Sequence, residues 1–462
     1  MATEFKDQKQ YKGKYFPQIL TILVVSLGTF TGGVHFSWSS PFSLMIVKDK
    51  EKYNISEKDT SFFIIIQSLG MIFMSVIFFR ISEFLGRKKS IIFLAVPQTI
   101  VWIIVFFART KWEFYIARFI AGTADAIVFG AIPPYVGEIT VPVVRDYCGN
   151  LPTFATYGGQ FFVATIGSFF NVQETVYICV GIPIVMAVML MLLPESPYQL
   201  IKDGKLEEAK ISIQWFQRLP DVENEFQRTK ADVERQISES ATWLDLIKIS
   251  SNRRALKAGI FLRASQQLSG ISVFATYTQT IFQKAGGNLS SQYSAMIFSG
   301  LVWIANLVCS VAVAKYGRRS SYFLSLLTSG MILLCMSIYF FLEQFEIVNL
   351  QSVNWIPLAG MVIYVVTYSI GLSVVPTLML GELFSASVKS KGLGILLGVF
   401  GVAIMVSSYL FHMLTDLIGL YCPFLFFAMS CFVSTFLTLK WVPETKGKTL
   451  EEIQQSLKKS NK

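Results

Sequence analysis

The sequence predicts an all-α membrane protein whose twelve spanning helices form two six-helix repeats joined by a polar, helical loop. Charged residues make up only 15% of the 462 residues and hydrophobic residues make up 53%, whereas soluble domains contain roughly 25% charged residues. Apolar stretches recur along the chain, each of about 20 residues, the length that a helix needs to cross a bilayer. A chain with so few charges cannot cover a surface exposed to water.

Three charged motifs occur twice, in the same order, and this repeat indicates a duplicated bundle. The first set is Gly86-Arg87-Lys88-Lys89, then Gly137-Glu138 followed by Arg145, then Pro194-Glu195-Ser196. The second set is Gly317-Arg318-Arg319, then Gly381-Glu382 followed by Lys389, then Pro443-Glu444-Thr445. Membrane bundles are often built from structural repeats, and each copy keeps its own charged loop ends. We therefore expect two halves of six helices each.

Twelve apolar segments are long enough to span the bilayer. In chain order they lie at 16–40, 61–80, 90–108, 114–136, 151–170, 174–193, 258–283, 291–314, 321–342, 355–380, 392–415 and 420–442. The long polar stretch 194–257 separates the two halves, and signals such as Leu206-Glu207-Glu208-Ala209 predict short helices without a core of their own. Gly371, Pro376 and Gly381 predict an interruption in the tenth segment, because glycine and proline break helices.

The distribution of Lys and Arg predicts the orientation. The loops after the second, fourth, eighth and tenth segments hold Arg87, Lys88, Lys89, Arg145, Lys315, Arg318, Arg319, Lys389 and Lys391, whereas the loops near 171–175, 343–354 and 416–420 hold none. Positive residues favour the cytoplasmic side. The predicted order is a cytoplasmic N-terminus (1–15), an N-terminal bundle (16–193), a cytoplasmic linker (194–257), a C-terminal bundle (258–442) and a cytoplasmic C-terminus (443–462). The net charge of +10 fits this topology and predicts no nucleic-acid partner.

Loops, cysteines and histidines limit the chemistry that the chain can perform. Asn54 and Asn288 begin glycosylation sequons in loops that the topology places outside, although such triplets also arise by chance. The six cysteines show neither paired nor metal-ligand spacing, so we expect no metal and no cofactor. With two histidines and no phosphate loop of the Gly-Lys-Ser/Thr type, the sequence predicts neither an enzyme nor an ATP-driven protein.

At its motifs the chain resembles the sugar porter family of the major facilitator superfamily. The residues are the two Gly-Arg motifs, Tyr135-Val136-Gly137-Glu138, Pro194-Glu195-Ser196-Pro197, Gln266-Gln267-Leu268-Ser269-Gly270 and Pro443-Glu444-Thr445-Lys446-Gly447, and the likeness covers residues 16–453. Leu151-Pro152-Thr153 and Trp38-Ser39-Ser40-Pro41 are similar to the insect branch named for facilitated trehalose transporters. The resemblance implies a monomer in the lipid bilayer of the plasma membrane that carries a small sugar, trehalose or a hexose, by alternating access.

The resemblance also implies that the charged motifs form a salt-bridge network at the cytoplasmic ends of the spans, which latches the outward-facing state. Its members would be Arg87, Glu138, Arg145, Glu195, Arg318, Arg319, Glu382, Lys389 and Glu444. The alternative is that such charges only set topology, which suits Lys88 and Lys89 better. An acidic residue of the family is kept as Glu83 but replaced by Ala314 in the second half, so we expect the N-terminal half to hold the stronger part of the gate.

Polar side chains inside the predicted spans are the candidates for substrate binding, because their burial in a bilayer is costly. Consecutive helical residues point about 100° apart, so at least one of Gln266 and Gln267 can face a central cavity. The resemblance implies that both bind sugar hydroxyls; the alternative is hydrogen bonding between packed helices. Family positions and nearby polar residues add Ser272, Tyr277, Gln160, Thr153, Asn306 and Thr377. Several of these differ from glucose carriers of the family, which favours a different or larger sugar.

The driving force is predicted to be the sugar gradient alone. Proton-coupled members of the family have an aspartate in the first span, where this chain has His35 and no carboxylate. Because histidine titrates near neutral pH, proton-coupled symport is kept as an alternative to uniport, while His412 is expected to be structural. A sugar sensor is the other alternative, although only about 20 residues follow the twelfth span and sensors have long cytoplasmic tails.

Overall fold

The structure is a computed structural model that describes residues 15–218, 221–238, 242–284, 290–347, 353, 355–384 and 388–446. Within these ranges it does not describe the side chains of residues 79, 80, 83, 146, 236, 284, 310–316, 380–382, 389 and 390. The predicted termini 1–15 and 443–462 therefore fall largely outside the described residues, as does the sequon at Asn288. The same holds for the side chains of Glu83, Ala314, Glu382 and Lys389.

The described chain is helical throughout, with no strand in these ranges. In chain order the helices are α1 (Phe16–Ser37), α2 (Ser39–Lys48), α3 (Glu57–Leu85), α4 (Arg87–Phe107), α5 (Lys111–Ile139), α6 (Pro142–Cys148), α7 (Leu151–Phe169), α8 (Val172–Cys179), α9 (Gly181–Met191), α10 (Pro197–Lys202), α11 (Leu206–Gln217), α12 (Glu223–Ser238), α13 (Asp245–Lys248), α14 (Ser250–Gln267), α15 (Ile271–Lys284), α16 (Ser291–Tyr316), α17 (Arg318–Gln344), α18 (Ile356–Ile370), α19 (Val375–Glu382), α20 (Lys389–Leu417) and α21 (Tyr421–Trp441).

Four of the twelve spans consist of two helices that meet at a break: α1 with α2, α8 with α9, α14 with α15, and α18 with α19. The first span continues to Lys48, beyond its predicted end at 40, and the seventh begins at Ser250, before its predicted start at 258. The tenth span breaks between Ile370 and Val375, beside the glycine and proline that predicted an interruption there. The remaining spans are single helices: α3, α4, α5, α7, α16, α17, α20 and α21.

Ten helices or joined helix pairs of the described chain are long and apolar enough to cross a membrane. The fifth span, α7, and the seventh, α14 with α15, fall outside this group. Both contain buried polar side chains, Gln160 in one and Gln266 and Gln267 in the other. α14 also contains Arg253, Arg254, Lys257 and Arg263, and α15 has only 14 residues.

Glycines allow the helices of the N-terminal half to cross closely. A Cβ on Gly122 of α5 would overlap the carbonyl oxygen of Gln67 in α3, and a Cβ on Gly70 would overlap that of Phe119. Gly33 of α1 and Gly159 of α7 meet the backbone of the opposite helix in the same way. Membrane helices often pack through small residues, because these let the backbones approach.

The N-terminal half holds two buried apolar clusters and the C-terminal half holds one, which extends into the N-terminal half at one end of the bundle. We call the end where Gly86 and Gly317 precede α4 and α17 the motif end, and the opposite end the far end. The core of the C-terminal half includes Ile64, which lies near the start of α3 in the N-terminal half. The two halves are therefore packed against each other toward the far end.

The linker helices share a small apolar cluster, formed by Leu200, Ile201, Ala209, Ile213, Phe226 and Val233. This differs from the expectation of helices without a core, because α10, α11 and α12 are close in sequence and turn their apolar faces together. The side chain of Gln18 attaches α11 to the N-terminal half: its Nε2 donates to Phe216 O at 3.1 Å, and its Oε1 accepts from Val141 N at 3.0 Å. The linker is thus docked on the motif end of that half.

Candidate functional site

A break in the seventh span places two glutamines in the interior of the bundle. α14 ends at Gln267, and Gly270 then adopts a φ of 91° before α15 begins. Only glycine adopts this left-handed conformation readily. Gln266 and Gln267 are 4% and 2% exposed. Buried amides require hydrogen-bond partners, so the partners of these two side chains define the site.

The two glutamines face different helices. Gln266 Nε2 donates to the carbonyl oxygen of Leu372 at 2.8 Å, inside the break of the tenth span. The Oε1 atom of the same side chain accepts from Arg263 Nη1 at 3.0 Å. Gln267 instead accepts a short hydrogen bond from Ser272 Oγ of α15. Gln266, Gln267 and Ser272, all predicted from the sequence, are thus brought together where two spans are broken.

The break of the tenth span is held by side chains from both halves. Ser325 Oγ accepts from Leu372 N at 3.0 Å, and Asn306 Nδ2 donates to Ser373 Oγ at 2.7 Å. The hydroxyl of Tyr157, in α7 of the N-terminal half, bonds to the same Ser373 oxygen at 3.1 Å. Asn306 therefore supports the broken backbone, and Tyr157, which sequence analysis did not single out, links the halves at the site.

A partly buried arginine stands beside the glutamines. The guanidinium carbon of Arg263 lies 4.8 Å from the ring centre of Phe400 in α20. The phenol groups of Tyr368, Tyr157 and Tyr322 are its electrostatic neighbours. Arg263 was not predicted from the sequence, because hydropathy averaged over a window hides one charge among apolar residues. Its charge inside the predicted span 258–283 is the signal that identifies it.

Three hydrogen bonds join the two halves toward the far end, and we call them the far-end seam. Tyr277 OH donates to Ser61 O at 3.0 Å. Ser37 Oγ donates to Ala275 O at 3.3 Å, and Gln279 N donates to Ser40 Oγ at 3.4 Å. Tyr277 interrupts α15 with a φ of −116° and a ψ of 21°. Tyr277, which was predicted as a substrate-binding residue, thus lies at a kink and contacts the opposite half.

Gln160 lies next to this seam. With Ser37, Ser40, Thr278 and Ser299 it lines a narrow cleft between the halves. The other two candidates are not buried, since Thr153 is partly exposed and Thr377 is exposed. The structure therefore groups Gln160 with Tyr277, and not with the glutamines of the seventh span.

A second pair of buried charges, also missed by sequence analysis, lies in the N-terminal half. Arg118 of α5 donates to the carbonyl oxygen of His35 at 2.7 Å and to Ser39 Oγ. Asp125, two turns further along α5, accepts from Gln67 Nε2 at 2.7 Å. Arg118 and Asp125 are electrostatic neighbours. The imidazole of His35 packs 4.8 Å from the ring of Trp102.

Two of the predicted latch residues of the N-terminal half, Arg87 and Glu138, contact each other. Glu138 Oε1 accepts from Arg87 Nε at 3.0 Å, and its Oε2 accepts from Ser196 Oγ at 2.6 Å. Arg145 Nη2 donates to the carbonyl oxygen of Thr140 at 3.1 Å. The described contacts of this network join residues of one half. A latch between the halves stays a prediction.

The repeated glutamates cap helices. Glu195 Oε1 accepts from Lys88 N at 2.8 Å and from Ser196 N at 2.9 Å, at the start of α4. Glu444 accepts from the backbone N–H groups of Arg318 and Arg319, both at 3.1 Å, at the start of α17. A carboxylate there complements the partial positive charge of the helix N-terminus. The two halves use the same contact at equivalent positions.

The two caps differ in charge environment. Burial raises the pKa of the Glu195 carboxyl above its ordinary value. Burial also acts on Glu444, but hydrogen bonds from four backbone N–H groups outweigh it and hold the pKa of that carboxyl below its ordinary value. The charged form of Glu444 is therefore stabilised more by its surroundings than the charged form of Glu195.

An aromatic cavity of about 420 Å³ lies between α1, α7 and α16. Its walls are Phe30, Phe154, Phe161, Phe162 and Trp303, and it contains none of the predicted substrate-binding residues.

The predicted glycosylation residue Asn54 is exposed and lies in the loop between α2 and α3 at the far end. Among the described residues, no cluster of His, Cys, Asp and Glu fits a metal ion.

Comparison with known proteins agrees with this geometry. A family model described as "Sugar (and other) transporter" matches residues 5–457. The chain is 29% identical over 448 residues to the facilitated trehalose transporter Tret1 of Polypedilum vanderplanki, covering 96% of this chain and 88% of the relative. It is 27% identical over 460 residues to the protein of that name from Bombyx mori, covering 99% and 90%.

A solved structure of the proton:xylose symporter XylE bound to 6-bromo-6-deoxy-D-glucose has a similar fold. The TM-score is 0.76 at 21% identity, and the match covers 97% of this chain and 100% of that chain. The predicted fold of twelve helices in two six-helix repeats is thereby confirmed. Its assignment to the major facilitator superfamily and to the sugar porters is confirmed as well. This chain belongs to the sugar (and other) transporter family.

Proposed function

We propose that this membrane protein is a uniporter that moves a small sugar, trehalose or a hexose, down its gradient by alternating access. The observation behind this proposal is the position of Gln266 and Gln267 at the facing breaks of the seventh and tenth spans. Sugars require many neutral donors and acceptors, and broken helices provide unpaired backbone groups near the middle of a membrane bundle. The relatives named for trehalose transport support the choice of sugar.

The contacts between the halves support alternating access. Toward the far end the halves are joined by the seam at Tyr277, and near the glutamines they are joined through Tyr157 and Ser373. At the motif end, Arg87 pairs with Glu138 inside the N-terminal half, and Glu444 accepts from Arg318 N inside the C-terminal half. We propose that the seam closes one entrance to the site while the motif end opens. Rocking of one half against the other would then expose the site to each side in turn.

We propose that the motif end faces the cytoplasm and that the protein acts as a monomer in the plasma membrane. The Lys and Arg of the motif loops support this orientation, and the exposed Asn54 would then be available for glycosylation. The division into bundles 16–193 and 258–442 with a cytoplasmic linker belongs to the same proposal. The seventh helix, however, begins at Ser250.

The motif network is the proposed gate of the cytoplasmic side. Arg87, Glu138 and Arg145 would act with Glu195 in the first half, and Arg318, Arg319, Glu382, Lys389 and Glu444 would act in the second. Glu138→Gln removes the charge that pairs with Arg87 but keeps an acceptor for Ser196. We expect this variant to reach the membrane and to transport more slowly. Unchanged transport would refute the role of Glu138 in the gate.

Proton-coupled symport is the second candidate, and the buried Asp125 favours it. Intramembrane carboxylates often belong to proton pathways. Sugar uptake into vesicles with and without a pH gradient decides between the two mechanisms. Uniport predicts equal initial rates, whereas coupling through Asp125 predicts a gradient-dependent rate that is lost in Asp125→Asn.

The proposed function is tested by uptake of radiolabelled trehalose, glucose, fructose and polyols into oocytes. We expect uptake of at least one neutral sugar, reduced about tenfold in Gln266→Ala, the size of effect expected for one hydrogen-bonded substrate contact. Gln344→Ala is the matched control, since Gln344 Nε2 also donates to a backbone carbonyl at 2.8 Å but lies exposed at the end of α17. If no sugar is transported although the protein reaches the surface, the proposal is wrong.

A further inference from the structure

Arg263 occupies a central position in the proposed transport site. It lies one helical turn before Gln266 in α14 and donates to that side chain at 3.0 Å. Its guanidinium contacts Phe400 of the C-terminal half and has Tyr157 of the N-terminal half as an electrostatic neighbour. The arginine is therefore situated between the halves, beside both helix breaks. Its side chain is only partly buried.

The described residues offer this cation no anionic partner. Its hydrogen bond is to a neutral amide, and its neighbours are phenols and a phenyl ring. The sequence contains no Asp or Glu from 246 to 342, from 347 to 381, or from 383 to 415. Glu382 lies ten residues beyond Leu372, about 15 Å along a helix toward the motif end. No carboxylate of the C-terminal spans thus reaches the middle of the bundle.

The buried arginine of the other half shows the contrast. Arg118 has Asp125 as an electrostatic neighbour and donates to Ser39 and to the carbonyl oxygen of His35. A carboxyl group of the same half therefore lies close enough to interact with its charge. An unbalanced charge in a bilayer is costly, and charged side chains there are normally paired or mark a substrate path. Contact with an aromatic face offsets only part of this cost.

We propose that Arg263 binds the acidic group of the substrate and that the carrier accepts a sugar with one carboxylate, such as a hexuronate. This inference rests on the proposed function and adds a charged group to its substrate. The planar guanidinium matches a carboxylate in shape and can donate two parallel hydrogen bonds to it. A single arginine balances a monoanion. A phosphate, with about −1.5 to −2 charges at neutral pH, would leave excess negative charge in the site.

The experiment uses the purified full-length chain in liposomes and compares glucuronate, glucose, trehalose and glucose 6-phosphate as radiolabelled substrates. We expect glucuronate to be transported, with a rate that changes when the sign of an imposed membrane potential is reversed, since each anion moves one charge. In Arg263→Gln, the ratio of glucuronate to glucose uptake falls about tenfold or more, as expected for loss of a charged hydrogen bond. Arg263→Lys keeps the charge and retains part of the preference.

Arg253→Gln is the matched control, because Arg253 lies on the same helix but is exposed near the motif end. It leaves both uptake rates unchanged, and the thermal stability of all variants is measured in detergent. Uptake of glucose or trehalose without glucuronate overturns this inference and leaves the proposed function intact. Uptake of glucose 6-phosphate without glucuronate overturns the choice of a carboxylate. If none of the four compounds is transported, the inference fails, and the proposed function is decided separately by the uptake of fructose and polyols.

Discussion

Removal of the Tyr277 hydroxyl tests whether the far-end seam holds the two halves together. The side chain is 2% exposed and donates to Ser61 O at 3.0 Å across the halves. Its ring packs against His412 at 4.5 Å and Phe411 at 6.2 Å, both in α20. Tyr277→Phe keeps these ring contacts and removes only the bond to the opposite half.

The size of the effect follows from the nature of this bond. A neutral hydrogen bond contributes about 0.5–1.5 kcal/mol net. Ser61 lies inside α3, where its carbonyl oxygen also accepts the bond of its own helix, so the lower part of this range applies. We therefore expect the population with an open far end to rise by about twofold to fivefold relative to the closed state.

Tyr115→Phe is a matched control for this experiment. Tyr115 OH donates to Asp59 O, also at 3.0 Å and also near the start of α3, but both residues belong to the N-terminal half. The two variants lose the same kind of bond, and only Tyr277→Phe weakens the seam.

The assay measures distances between spin labels at Lys58 and Gln292, which are exposed near the far ends of α3 and α16, in a cysteine-free background. Longer distances become more frequent in Tyr277→Phe and stay as in the parent protein in Tyr115→Phe. Equal distributions in both variants would show that the seam does not determine the closed state.

Three further predictions concern stability. Gly122→Ala lowers the free energy of unfolding in detergent by about 2 kcal/mol or more, because the added Cβ would overlap the carbonyl oxygen of Gln67. An unchanged Tm would contradict the close crossing of α3 and α5. Asp125→Ala lowers the free energy of unfolding by about 1–3 kcal/mol, since the amide of Gln67 loses its acceptor. Asp125→Asn keeps an acceptor and lowers it by less. Burial raises the pKa of Glu195, so the contribution of this carboxyl to stability falls as the pH rises above about 4.5. The pKa of Glu444 is instead lowered, because hydrogen bonds from backbone N–H groups outweigh burial. The contribution of Glu444 to stability is therefore lost as the pH falls below about 4.5. At pH 7, Glu444→Gln therefore lowers the Tm more than Glu195→Gln, and the opposite order would refute the difference between the caps.

The sequence predicted the number of spans and the helix break near Gly371, because hydropathy and helix-breaking residues are local properties. It placed the end of the first span and the start of the seventh too close to the membrane centre. The first span continues past Pro41 to Lys48, and the seventh begins among the charged residues at 250–257. Proline is tolerated in the first turn of a new helix segment, and hydropathy alone does not extend a helix into charged residues.

The candidate site was predicted in composition but not in arrangement. The glutamine pair suggested a substrate site, but its sequence did not reveal that Gln266 faces Leu372 while Gln267 faces Ser272. These directions depend on the breaks in two spans. Arg118, Asp125 and Arg263 were missed because hydropathy averages over a window, and one charge among many apolar residues changes the average little.

The doubled charged motifs are explained first by local folding. Gly86 and Gly317 have φ values of 82° and 98°, in the region that favours glycine, and each precedes the first residue of a spanning helix. The N–H groups that follow have no partner within their own helix. Glu195 and Glu444 accept hydrogen bonds from them, from positions more than 100 residues later in the chain. Since the Gly-Arg motif supplies the donors and the Pro-Glu motif supplies the acceptor, neither is complete alone, and a half that contains one must contain the other. Any gating by these charges acts on helix ends that the same contacts already stabilise.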